Sequence, residues 1–208
     1  MDDCMVMALF RHGVTKENKK GLYIGWSDAP LCQDWKDQMR NAPFHLSHYD
    51  SIYSSDLSRC KETAHLYFSN RQVSYNPDLR ELHFGEWEAK HHNELAENSY
   101  YQEWLNYPFK MKTPDGETFG VFTKRVDRAI KQIKENLSRN QHNSCAIVTH
   151  SGVIRYLLDR FVPESKGFWS WDVPYGTGFE LIWTYDEWGC GDRCTLLREV
   201  PLTENQHG

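Results

Sequence analysis

Hydrophobic positions along the chain fall into two kinds of segment, short unbroken apolar runs and longer stretches with helical spacing. The first run, Val6 to Phe10, stops on Arg11, His12 and Gly13. It predicts a buried strand that turns tightly at the glycine, and open α/β sheets gather ligand-binding groups at such strand ends. Taken alone, the stretch reads better as an ordinary strand that ends on polar residues. Lys16 to Pro30 is polar and marked by Gly21 and Gly25, which predicts a loop able to close over a ligand. Beyond Pro30 a helix is expected, with Leu31, Trp35 and Met39 on one face.

Ser51 to Ser55 reads as a second strand, and Asp56 is placed to cap a helix over Leu57 to Phe68. Arg59 falls in the first turn of that helix, where a cation opposes the helix dipole. A bound anion would offset this cost, and a surface pairing with Glu62 or Asp56 would serve equally. Val73 to Tyr75 suggests a third strand. The loop from Leu79 to Trp87 then mixes carboxylates with aromatics, a setting that can desolvate a carboxyl group such as Glu81 and suit it to general-acid work.

Glu88 to Phe109 reads as helical and carries Tyr100, Tyr101, Trp104, Tyr107 and Phe109, some for packing and some to line a pocket. A turn over Pro114 to Thr118 precedes a long amphipathic helix, with Phe119, Phe122, Val126, Ile130, Ile133 and Leu137 at helical spacing. The clearest strand, Ser144 to Thr149, ends on His150. The helix that follows buries Ile154, Leu157, Leu158 and Phe161, so His150 sits between a strand end and a helix N-terminus, a natural anion site. Two last strands, Phe179 to Tyr185 and Cys194 to Val200, suggest a hairpin completing the sheet, and the polar tail from Thr203 to Gly208 is expected to fray.

A length of 208 residues suits one core, and one domain over 1–208 is expected. The net charge of −5 and the lack of a basic block argue against a nucleic-acid partner. No apolar run is long enough to span a membrane, and no signal-type h-region precedes the first strand. Six scattered cysteines suit reduced thiols, so a cytoplasmic location is expected. Cys190 and Cys194 lie close in sequence, yet no second cluster completes a zinc set. His45, His48, His91 and His92 lie in polar surroundings and read as solvated, so no metal and no cofactor are expected.

Three strand ends thus deliver Arg11 and His12, Ser54 to Asp56 with Arg59 just beyond, and His150. Two guanidiniums can grip a phosphate and two imidazoles can supply a nucleophile and a donor. Arg11-His12-Gly13 with Thr15 and Asn18, Gly25 to Leu31, Ser54 to Ala64, Leu79-Arg80-Glu81 with Gly85, Gly116-Glu117, and Thr149-His150-Ser151-Gly152 together resemble the histidine phosphatase superfamily in its phosphoglycerate-mutase-like branch, in that family's order over about residues 5–160. The resemblance implies an α/β fold, a three-layer α/β/α sandwich with a mostly parallel central sheet. It also implies a phosphohistidine intermediate, with His12 as nucleophile, Glu81 as proton donor, and Arg11, Arg59 and His150 around the phosphate. Thr15, Asn18 and Ser151 would be substrate-binding. Trp35, Ala89 and Ser151 stand where glycine is usual in the family, which bears on the subfamily and not on the catalytic set.

A mutase of this family would need further basic residues after the proton donor, and no arginine occurs between Arg80 and Arg125. The expected activity is therefore hydrolysis of a small organic phosphomonoester, as in α-ribazole and broad-specificity phosphatases, with the aromatic segment of residues 100–109 tuning the leaving group. A cofactor-dependent phosphoglycerate mutase-type phosphotransferase and a non-catalytic phosphate-ligand binder are the alternatives.

Overall fold

The computed structural model describes residues 4–41, 46–190 and 193–200, without the side chain of Cys190. His45, the Cys190 side of the cysteine pair and the tail from Thr203 therefore lie outside the described residues. In chain order the elements are β1 (Cys4–Arg11), α1 (Lys16–Lys19), α2 (Gln33–Asn41), β2 (Ser51–Ser54), α3 (Ser58–Tyr67) and β3 (Ser74–Tyr75). They continue with α4 (His92–Leu95), α5 (Ser99–Asn106), α6 (Phe119–Asn140), β4 (Ser144–Thr149), α7 (Ser151–Phe161), β5 (Gly178–Thr184), α8 (Tyr185–Cys190) and β6 (Leu196–Val200).

The strands form one sheet in the order β3-β2-β4-β1-β5-β6. Pairings β3/β2, β2/β4 and β4/β1 are parallel, whereas β5 and β6 run antiparallel, so the sheet is mixed with a parallel half. Along β1 the side chains alternate. Met5, Met7 and Leu9 join a core with α6 and α7 on one face, while Ala8 and Phe10 join Trp35, Met39, Cys60 and Ala64 of α2 and α3 on the other. Two buried faces give β1 its near-continuous apolar run, and the sandwich has three layers.

The connection from β1 leaves towards the α2 face, and that from its neighbour β4 leaves through α7 on the opposite face. The crevice between these two strand ends is where such sheets bind ligands. In register, Arg11 lies beside Thr149 and Ser54 beside Val148, so the ends of β1, β4 and β2 arrive at one level.

Several expectations are revised. The loop after Thr15 begins with the one-turn α1, and the stretch from Glu88 to Phe109 breaks into α4, α5 and a turn. Strands β5 and β6 pair antiparallel as expected, but the connection between them contains α8. Asp56 does not cap α3. Its carboxylate is held by Arg80 at 2.5 and 2.7 Å, and no side chain of the N-cap residue Leu57 bonds the helix amides. That service comes from the loop ahead of Pro30: Ser58 N–H donates to Asp28 Oδ1 at 2.7 Å, and Ser58 Oγ donates to Asp28 Oδ2. Long-range caps of this kind leave no local mark in a sequence.

Candidate active site

His12 and His150 extend their strands by one residue each and meet edge to face, ring centroids 5.1 Å apart. Both are buried, and His12 N–H donates to Thr149 O at 3.0 Å, which ties the two strand ends together. His12 Nδ1 lies 2.7 Å from Gly13 O. A carbonyl can only accept, so Nδ1 carries the proton and Nε2 keeps its lone pair. Burial, followed by the charges of Arg59 and Arg11, holds the His12 pKa well below its usual value. His150 is shifted the same way by burial, then Arg59, His12, Arg125 and Arg11. Its Nε2 is 3.0 Å from Ser55 Oγ and 3.4 Å from Cys60 Sγ. The Cys60 thiol is itself pushed up to about 12 by burial, so it is a neutral packing group at this site.

Arg59 settles the two explanations offered by its position. It pairs with neither Glu62 nor Asp56. The side chain is fully buried and donates to Gly25 O at 2.6 Å and Ser27 O at 2.9 Å, with Nε unpartnered. A buried cation whose hydrogen bonds go to carbonyls, with Glu81, Glu88 and Asp28 only as charges nearby, is costly, and a bound anion is a natural complement. The loop that supplies those carbonyls is folded around a carboxylate that sequence reasoning missed: Glu88 accepts N–H bonds from Gly25, Trp26, Ser27 and Phe84 at 2.8 to 3.1 Å. Arg11 is held differently. It donates to Val173 O, and its guanidinium carbon lies 3.6 Å from the centroid of the Tyr175 ring. Tyr175 lies in the segment that matched the family least, and nothing local in the sequence pointed to it.

Glu81 reaches the same crevice from the loop after β3. Its Oε2 accepts Gly152 N–H at 2.9 Å and its Oε1 accepts Leu82 N–H at 2.9 Å. Arg125 braces the loop by donating to the carbonyls of Asp78, Arg80 and Glu81, and is neutralised by the buried carboxylate of Glu117. Trp26 Nε1 donates to Glu81 O as well. Arg125 did leave a sequence signal, being a charge on the otherwise apolar face of α6 beside Phe122 and Val126. Thr15 and Asn18 are engaged with each other: Thr15 Oγ1 accepts Asn18 N–H and Asn18 Oδ1 accepts Thr15 N–H, both at 3.1 Å, in a capping box for α1. Of the departures from the family pattern, Trp35 presses its ring against Gly13 in the space a side chain would need, and Ala89 keeps a φ of 60° that glycine adopts more readily.

Beside Glu81 opens a cleft of about 290 Å³, walled by Tyr23, Phe84, Trp104, Phe119 and Phe122 and edged by Ser151, Gly152 and Arg155. Arg155 is the only cation among its lining residues. Among the described residues no three His, Cys, Asp or Glu side chains are grouped to hold a metal ion, and no helix is long and apolar enough to cross a membrane.

The buried imidazoles also couple the site to stability. Their folded pKa values lie below the unfolded value of about 6.5, so below that pH the unfolded chain binds more protons and stability falls, by up to about 1.4 kcal/mol per pH unit for each histidine. Above pH 6.5 both states are neutral and the contribution is intact. Urea midpoints measured from pH 7.5 to 5.5 are expected to fall, and His150→Asn is expected to flatten the slope. A variant with the parent's slope would show that His150 is not held neutral.

The family model of the histidine phosphatase superfamily (branch 1) matches residues 7–192. The adenosylcobalamin/alpha-ribazole phosphatase of Escherichia coli (strain K12) is 34% identical over 181 residues, covering 83% of this chain and 87% of that protein. A metal-independent phosphoserine phosphatase of Arabidopsis thaliana is 26% identical over 168 residues, covering 77% and 70%. The crystal structure of the alpha-ribazole phosphatase from Shigella flexneri superposes with a TM-score of 0.74 at 32% identity, over 85% of this chain and 90% of that one. Sequence match, shared fold and guanidiniums and imidazoles gathered at the strand ends agree: the chain belongs to the histidine phosphatase superfamily, branch 1, and hydrolyses small phosphomonoesters through a phosphohistidine.

Proposed function

We propose that the substrate is a nucleoside-like monophosphate with a flat aromatic base, α-ribazole phosphate being the prototype, and that turnover takes place in the cytoplasm. One observation carries the substrate class: Glu81, assigned here as the proton donor to the leaving group, lines the aromatic cleft. A leaving group protonated by Glu81 projects into that cleft, where an aromatic base gains about 1.5–3 kcal/mol from burial. Phosphoserine would instead bring an ammonium and a carboxylate into a cleft with one cation. The described cysteines are unpaired, which suits a reducing compartment.

In the first step His12 Nε2 attacks phosphorus, the ester P–O bond breaks, and protonated Glu81 gives its proton to the departing alkoxide oxygen. Arg11, Arg59 and His150 hold the charge on the three transferring oxygens throughout, so catalysis rests on fixed positive charge and alignment. In the second step the Glu81 carboxylate takes a proton from water as its oxygen attacks phosphorus. The N–P bond breaks, inorganic phosphate leaves, and Glu81 is again protonated. Ser151, at the cleft's edge, is assigned to the substrate's sugar. The Asn18 amide nitrogen, the part of that side chain outside the capping box, is assigned to the phosphate, with Thr15 holding it in place.

The test compares kcat/KM for α-ribazole phosphate, phosphoserine and 3-phosphoglycerate. A preference of about ten- to hundredfold for the first is expected from the burial term. Equal values for phosphoserine would overturn the nucleoside assignment, and isomerisation of 3-phosphoglycerate faster than its hydrolysis would favour a mutase.

A further inference from the structure

The outer end of the cleft is built unlike its interior. Phe109, in the turn after α5, and Trp169, in the short 3-10 turn at Phe168–Ser170, face each other with centroids 6.1 Å apart and planes 28° from parallel. Both are strongly exposed, 46% and 56%, although they line the same cleft as Glu81. Phe168 stands at right angles to both rings, at 5.6 and 4.8 Å. Phe119 packs behind Phe109 at 4.5 Å, and the Arg155 guanidinium lies 5.8 Å over the Trp169 ring.

Two large aromatic faces exposed to water at the mouth of an active-site cleft are unfavourable unless a ligand covers them. A planar ring seated between two others needs contacts of about 3.5 Å on each side, a separation of about 7 Å. The present 6.1 Å between centroids is that of two rings in stacking contact, so admitting a third needs additional separation. The Trp169 side has room to give it. Gly167, just before the 3-10 turn, has a φ of 84°, a region open to glycine, and a Cβ there would meet nothing within 4 Å. On the other side Phe109 is anchored by Phe119 on α6.

We propose that Phe109 and Trp169 form an aromatic clamp that opens slightly to take the flat base of the leaving nucleoside between their faces, making them specificity-determining residues of this enzyme. The inference rests on the nucleoside reading of the substrate and adds to it where the base lies and what grips it. Bases stack on aromatic side chains with little regard to ring identity, so the clamp selects for a planar, extended leaving group and not for particular ring substituents. It acts on substrate binding and leaves the phosphoryl chemistry to the groups at the strand ends.

The experiment measures kcat and KM of the intact enzyme with α-ribazole phosphate and with glycerol phosphate, which has no ring, for the parent, Trp169→Ala, Trp169→Phe and Phe109→Ala. Both alanine variants are expected to raise KM for α-ribazole phosphate about ten- to hundredfold, with kcat and the glycerol phosphate reaction within about threefold of the parent. Trp169→Phe is expected to keep most of the parent's affinity. Unphosphorylated α-ribazole should inhibit the parent competitively, and Trp169→Ala more weakly by a similar factor. If the parent prefers α-ribazole phosphate and Trp169→Ala and Phe109→Ala keep that preference, the clamp is wrong while the nucleoside reading stands. A parent with no preference over glycerol phosphate overturns both. A loss of glycerol phosphate turnover in either alanine variant would show a structural role and overturn the clamp.

Discussion

His12→Ala is expected to lower kcat by at least about ten-thousandfold on every phosphomonoester tested, the scale seen when a covalent nucleophile is removed. Part of the reason lies in what cannot take its place. His150 is the other imidazole in the crevice, yet its Nε2 is 3.0 Å from Ser55 Oγ, and its ring meets that of His12 edge to face. Cys60 is the nearby thiol, held neutral by burial. Arg11 and Arg59 are guanidiniums, which can bind a phosphate and cannot attack it. The variant should therefore still bind inorganic phosphate or vanadate. Alkaline quenching of parent enzyme during turnover should trap a phosphoryl group on the protein, and the same quench of His12→Ala should trap none. A variant that turns over at the parent's rate, or still carries label after the quench, would remove His12 from the role assigned to it.

Each participant in this site was legible to a different degree, for a physical reason. His12, Arg11 and His150 showed because they end apolar runs, and β1 and β4 are buried on both faces. A polar residue at such a boundary stands out. Arg59 showed as an electrostatic oddity in the first turn of α3, but only the fold could reveal that Gly25 and Ser27 carbonyls hold it in place of Glu62 or Asp56. Asp28 in place of Asp56 as the cap of α3, Glu88 as the anchor of the 25–28 loop and Tyr175 against Arg11 depend on contacts between segments distant in the chain. None has a period or a local partner that patterning could detect. The mixed character of the sheet was legible in part, since the last two strands read as an antiparallel pair, while the intervening α8 did not.

Gly152→Ala is expected to separate the two chemical steps. A Cβ at this position would lie 2.2 Å from Glu81 Oε1 and 3.1 Å from Glu81 Cδ, with the other carboxylate oxygen at 3.3 Å. The obstacle is the far end of a flexible side chain, so Glu81 swings aside and the backbone stays. Alanine in the first turn of α7 is favoured over glycine by about 0.5–1 kcal/mol, which offsets the lost bond from Gly152 N–H to Glu81 Oε2, and the melting temperature should move little. Activity should not be spared. With an alkyl phosphate the leaving alkoxide needs its proton, and kcat/KM is expected to fall about 10²- to 10⁴-fold, the usual worth of a positioned general acid. With p-nitrophenyl phosphate the leaving phenolate departs unprotonated, so kcat/KM, which reports the first step, should change by less than about tenfold. Attack by water on the phosphohistidine still needs Glu81 as base. The variant should accordingly release p-nitrophenol in a burst of about one equivalent, followed by a slow steady state, as phosphoenzyme accumulates. Equal losses of kcat/KM on the two substrates with no burst would mean that Gly152 shapes the phosphate pocket and not the acid. A fully active variant would mean that Glu81 tolerates the new methyl where it stands.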